Sequence, residues 1–125
     1  MDLTGLTHSA FGDSPELADA LLALVLAGIK TATCWRHTDG VKGSVVGSCW
    51  VALDGVGRPA ALIESITLDA VRFDAVTAGF AHAEGESDRS LVAWRADHAA
   101  FFARTGGFAP DMLLWCERFR LVAIL

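Results

Sequence analysis

The stretch Ser14-Pro15-Glu16-Leu17-Ala18-Asp19-Ala20-Leu21-Leu22-Ala23-Leu24-Val25-Leu26-Ala27-Gly28-Ile29-Lys30-Thr31-Ala32-Thr33 reads as a helix that runs directly into extended chain. Ser14 is suited to cap the helix, Pro15 to open it, and Glu16 to face the positive end of its dipole. Leu17, Leu21, Leu24 and Val25 recur at helical spacing and predict one buried stripe. Gly28 is the residue type that closes a helix in the left-handed conformation. A lysine and two threonines then follow where helix gives way to β-friendly residues, a junction that can aim side chains into a cleft.

Outward from this junction the pattern alternates between sheet and helix. Residues 1–13 read as a lead-in and His37 to Gly47 as a glycine-rich loop. Ser48 to Leu53 predicts a strand, Asp54-Gly55-Val56-Gly57 a hairpin turn, and Ala60 to Leu68 its return strand. On that return strand Glu64 shares a face with Leu62, Ile66 and Leu68, which puts it at a strand edge or in a pocket. Val71 to His82 predicts a short helix and Ser87 to Arg104 a longer one. On the longer helix His98 lies in line with both Trp94 and Phe102. Gly106-Gly107 breaks the chain, and Leu113 to Leu125 predicts a final apolar strand. The order helix, strands, helices, strand predicts an α+β domain on a curved sheet, with residues 1–125 forming one domain.

Composition narrows the function. Of 125 residues, 53% are hydrophobic, enough for a core without a metal or disulfide. Fifteen acids against ten bases give a net charge of −5, which argues against a grip on long duplex DNA. The charge is uneven: Lys30, Arg36 and Lys42 fall close together with Asp39 alone opposing them. Such a rim fits a single nucleotide or a short single strand. Cys34, Cys49 and Cys116 form no CxxC pair and read as reduced thiols of a cytoplasmic protein. No signal-peptide pattern opens the chain, and its longest apolar run is too short to span a bilayer.

Two constellations carry chemistry. Lys30 and Thr33 could act as base and nucleophile, provided the chain bends, because positions three apart on a regular strand face opposite sides. Otherwise Lys30 serves only the helix end. Glu84-Gly85-Glu86-Ser87-Asp88 joins two helices. Ser87 or Asp88 explains itself as a cap, whereas the two glutamates suit acid–base work or binding of an amine. Trp35, beside Arg36, is the tryptophan best placed to stack on a base. The four histidines, His8, His37, His82 and His98, show no metal-binding spacing, so a metal would require an unforeseen meeting in space; no metal or cofactor is expected. GxGxxG, P-loop and GxSxG patterns are absent.

Phe11-Gly12-Asp13-Ser14-Pro15-Glu16-Leu17, Gly28 to Thr33, Ala83-Glu84-Gly85-Glu86 with Asp88-Arg89-Ser90-Leu91, the line Trp94–His98–Phe102, Asp111-Met112 and Cys116 to Arg120 together resemble the ASCH domain family of the PUA-like superfamily. The resemblance implies a small β-barrel or curved sheet flanked by helices, with a cleft at its side. It also implies an RNA or modified-nucleoside partner. Some members deacylate acetylated cytidine and others cut single-stranded RNA. For the deacylating type it implies a catalytic set of lysine, threonine and glutamate, falling on Lys30, Thr33 and one of Glu84 or Glu86 of this sequence, Glu86 being favoured by its distance to the following helix; the other glutamate then joins Trp35, Arg36 and Lys42 as a substrate-binding candidate. Trp35 stands where a smaller residue is common in the family.

Overall fold

The computed structural model describes residues 2–125. Five strands form one mixed sheet in the order β1-β3-β4-β5-β2. They are β1 (His8–Ala10), β2 (Ala32–Arg36), β3 (Cys49–Leu53), β4 (Pro59–Arg72) and β5 (Leu113–Ile124). Three α-helices, α1 (Pro15–Leu26), α2 (Ala78–Glu84) and α3 (Leu91–Arg104), complete an α+β domain. The strands pair antiparallel except for β1 with β3. β1 and β2 are the two edges of the hydrogen-bonded order, and no ladder among the described residues joins them, so the expected barrel is seen here as an open sheet. The β4–β5 register slips between Leu62 and Ile63, and again between Ser65 and Thr67. Bulges of this kind bend and twist a strand.

The bulges also explain Glu64. The side chain does not enter a pocket but pairs with Arg120 on β5, partly open to solvent. Ser65 and Ile63 are fully buried instead.

Apolar side chains pack into two cores. One holds Ala32, Phe73, Val76, Phe80, Trp94, Phe102, Leu114 and Cys116 beneath α2 and α3. The other holds Phe11, Leu22, Val25, Trp50, Ile63 and Phe119 beneath α1. Strand β5 serves both through alternation: Leu114 and Cys116 point to the first, Phe119 to the second.

Four expectations need correction. The lead-in contains β1, held by its parallel pairing to β3. The helix expected over residues 71–82 is shorter and later, because β4 continues to Arg72 and a 3₁₀ turn, Phe73–Ala75, intervenes. Thr77 is the true start of α2, its hydroxyl accepting from the Phe80 N–H. The longer helix opens at Leu91 with Ser90 as cap, rather than at Ser87. On α1, the deepest residues are Ala18, Leu22 and Val25, while Leu17, Leu21 and Leu24 turn toward a cleft.

Candidate functional site

That cleft has a volume of about 710 Å³ and lies between α1, the edge strand β2, the 84–87 turn and α3. Its floor is built on Lys30. Helix α1 ends with Ala27 as cap and Gly28 at φ 76°, and the N–H groups of Ile29 and Lys30 both bond back to the Leu24 carbonyl. Thr31 then bonds through its N–H to the Ala83 carbonyl at 2.7 Å before β2 begins at Ala32. Lys30 is therefore on the bend and not on the regular strand. This is why it lines the same cleft as Thr33.

Lys30 is only 2% exposed. Its Nζ donates to Glu86 Oε2 at 2.8 Å and to Glu84 Oε1 at 3.4 Å, and lies 5.6 Å from the Phe11 ring centroid. Burial pulls the ammonium's pKa down, but the charges of Glu84 and Glu86 outweigh it, so the pKa stands above the ordinary lysine value. Lys30 is a charged donor at neutral pH.

Glu84, at the C-terminus of α2, is 1% exposed. Burial pushes its pKa up. Lys30, His98 and the Trp94 indole more than reverse this, and the carboxylate stays ionised. Its Oε2 accepts from Trp94 Nε1, from His98 Nε2 at 3.1 Å and from the Cys34 thiol at 3.7 Å. His98 Nδ1 lies 2.9 Å from the Trp94 carbonyl oxygen. Both ring nitrogens thus face acceptors, an arrangement satisfied when both carry protons. Burial lowers the His98 pKa, yet its contact with Glu84 dominates and raises it. Lys30 and His98 together balance Glu84 and Glu86 in charge. Cys34 is held as a thiol, its pKa pushed well up by burial and by Glu84. That weighs against a thiolate nucleophile here.

Glu86 sits in a turn shaped by left-handed backbone: Gly85 at φ 75°, Ser87 at 54° and Arg89 at 66°. Conformations of this kind in non-glycine residues are costly and are held by their surroundings. Here the Ser87 hydroxyl donates to Asp97 at 2.5 Å, and Arg89 Nε donates to the His82 carbonyl at 2.9 Å. The Glu86 side chain keeps 23% exposure, so it opens to the cleft while holding Lys30.

Trp35, Arg36 and Lys42 all border the cleft. The Trp35 indole N–H is spent on the Gly40 carbonyl at 2.7 Å, and Lys42 Nζ lies 5.8 Å from its ring centroid. Arg36 is less free than its sequence position implies. Its guanidinium donates to the Phe102 carbonyl at 2.7 Å and packs over the Phe102 ring, serving the C-terminus of α3. The Thr33 hydroxyl has no hydrogen-bond partner among the described residues.

Sequence reasoning singled out Lys30, Thr33, Glu84 and Glu86, which the fold brings to one cleft. It set His98 in line with Trp94 on the longer helix, and there the two side chains clamp Glu84. It passed over Asp13 and Arg104, which pair at 2.9 Å and both border the cleft. It also passed over Glu117, a fully buried carboxylate that accepts from Ser65 Oγ at 2.6 Å and Trp50 Nε1 at 3.3 Å. The i,i+4 spacing of Trp94 and His98 was the available signal for the first group. Nothing local marks the rest.

The ASCH domain family model matches residues 7–123. Among solved structures, the ASCH domain from Lactobacillus crispatus JV V101 is 30% identical with a TM-score of 0.85, covering 95% of this chain and 80% of that one. A protein from Enterococcus faecalis V583 is 32% identical with a TM-score of 0.84, covering 100% of this chain and 85% of that one. No curated protein matches the chain. None of the helices among the described residues is long and apolar enough to cross a membrane.

Proposed function

This chain belongs to the ASCH domain family, and on that premise we propose that it binds RNA or a modified nucleoside, with one base held in the cleft lined by Lys30, Thr33 and Glu86. The observation that carries this reading is the cleft itself. Its volume of about 710 Å³ lies in the range of sites that enclose a small molecule. An aromatic wall stands at Trp35 and paired charges sit at the floor. Lys30, an ammonium spent on Glu84 and Glu86, holds the partly exposed Glu86 in place to offer acceptors to an exocyclic amine. Lys42 at the rim suits a phosphate. RNA binding is the general property of ASCH domains.

A second reading, hydrolysis of an acylated nucleoside, is favoured by the unengaged Thr33 hydroxyl in the cleft that Lys30 also lines. Thr33 Oγ would attack the amide carbonyl, and Lys30 would take its proton and return it to the leaving amine. Water would then release the acyl group from Thr33. Because Lys30 rests protonated, it must first pass a proton to Glu86, and the 2.8 Å contact between them is the available path.

Incubation of the protein with acetylcytidine and, separately, with single-stranded RNA, both followed by chromatography, separates the readings. Binding without turnover is expected for the first. Release of cytidine, lost in Thr33→Val, establishes the second. Cleavage of the RNA assigns the cleft a ribonuclease role. Absence of both binding and turnover with either probe overturns the proposal.

A further inference from the structure

The floor of the cleft brings together three groups that no sequence spacing connects: the Cys34 thiol on β2, the Glu84 carboxylate on α2 and the His98 imidazole on α3. Their ligand atoms all lie within 4.8 Å of one another. We propose that this trio is a binding site for a thiophilic divalent cation of the zinc type, with three protein ligands and a fourth position open to the cleft.

The distances fit such an ion. Cys34 Sγ lies 3.7 Å from Glu84 Oε2, and His98 Nε2 lies 3.1 Å from the same oxygen. A tetrahedral zinc with ordinary bonds to sulfur, nitrogen and oxygen sets its ligands about 3.4–3.6 Å apart. The two measured edges bracket that range, so small side-chain shifts would seat the ion. The third edge, sulfur to nitrogen, falls within the same limit of 4.8 Å.

The surrounding bonds fit as well. His98 Nδ1 faces the Trp94 carbonyl at 2.9 Å. A bond from the ring to a backbone carbonyl is the usual way a ligating histidine is oriented, and it presents Nε2 to the metal. Glu84 Oε2 is the hub of three donors, Trp94, His98 and Cys34. A carboxylate oxygen has two lone pairs. One cation in place of two of those donors would leave one lone pair for the metal and one for the indole.

Charge balances too. On binding, Cys34 releases its thiol proton and His98 its Nε2 proton, both to solvent. Two positive charges arrive and two depart, so the pairing of Lys30 with Glu86 at 2.8 Å is left undisturbed. Thiolate, imidazole and carboxylate together select zinc or cobalt(II) over magnesium or calcium. All three residues border the cleft, which gives the ion a path in.

Cobalt(II) is the direct probe. Titration of the full chain under reducing conditions is expected to give one ion per chain, intense visible d–d bands of a four-coordinate site and a near-ultraviolet thiolate-to-cobalt band. Zinc should bleach these bands, and magnesium should not. Cys34→Ser should remove the thiolate band, while Cys49→Ser, which alters a cysteine outside the trio, should retain it. His98→Gln provides a second variant that should weaken cobalt binding at least tenfold. Lack of a thiolate band in the unmodified protein, or its survival in Cys34→Ser, overturns the proposal.

Discussion

Lys30 is a charge in the interior, and its energetics are those of a buried pair. Removing one partner leaves the other charged and unpaired. That typically costs about 3–5 kcal/mol. Lys30→Met keeps the apolar stem and strips the charge, leaving Glu86 without its cation and Glu84 with His98 alone to balance it. Thermal unfolding should therefore fall by on the order of 10–20 °C, and adding Glu84→Gln to the same chain should recover part of the loss. An unchanged Tm in the single variant would mean that the pair is not the one described. His98 gives the residue scale its pH dependence. Its pKa is raised above 6.5 in the folded protein, so its stabilising contribution is complete below that value and fades as pH rises through the folded pKa. Glu84 is shifted the other way, so its contribution is complete above 4.5 and is lost only in strong acid, as pH falls through the lowered folded value. Denaturant titrations at pH 6 and pH 9 should show the protein less stable at pH 9. His98→Gln should lose most of that difference, since glutamine does not titrate.

At the scale of elements, the α2–α3 connection sets where the two glutamates stand. Gly85 has φ 75°, and a Cβ there would meet the Ile29 carbonyl oxygen at 2.7 Å and its carbon at 2.9 Å. Backbone cannot swing aside as a side-chain tip can. Gly28 has nearly the same φ, 76°, but nothing stands within 4 Å of the added atom. The two glycines therefore separate the cost of a left-handed residue from the cost of crowding. Gly28→Ala should cost about 1–2 kcal/mol, the conformational term alone. Gly85→Ala should cost clearly more and should also weaken ligand binding, because Glu84 and Glu86 are displaced from Lys30. Equal losses in the two variants, measured by chemical denaturation, would show that the close approach to Ile29 has no consequence.

At the scale of the whole molecule, the sparse rim of cations limits how an RNA is held. From sequence, Lys30, Arg36 and Lys42 offered three phosphate contacts and a slope of log affinity against log salt of about −2. The fold spends Lys30 on its own carboxylates and ties Arg36 to the end of α3. Lys42 is left, loosely paired with Asp39 at 3.9 Å. The slope for a short single strand should accordingly be near −1, at about 0.7 per phosphate. A value several times steeper would require a basic surface that this molecule lacks. Much of the architecture was legible because it is written locally: the Ser-Pro-Glu start and Gly28 stop of α1, the Asp-Gly hairpin, the alternation of β4. The resemblance then ordered those elements and marked Lys30, Thr33 and the glutamates. What could not be read depends on remote partners. β4 runs on to Arg72 because β5 is there to pair with it, against a helical spacing in Val71 and its successors. Cys34, Glu84 and His98 meet only because β2, α2 and α3 converge.

The parallel strand β1 holds a further consequence, one of timing. It pairs with β3 over only three positions, His8 to Ala10, reinforced by the bond from the Val51 N–H to the Thr7 carbonyl at 2.8 Å. Phe11, which walls the cleft beside Lys30, follows it at once. The shortest ladder in the sheet thus anchors one wall of the site, and short edge pairings are the first to part in subglobal opening. In hydrogen–deuterium exchange the Val51 amide should trade its proton well before that of Ile63 on the central strand β4. If so, the cleft breathes from the Phe11 side, and a guest enters at the rate that this edge unzips; equal protection at both amides would mean that the door is elsewhere.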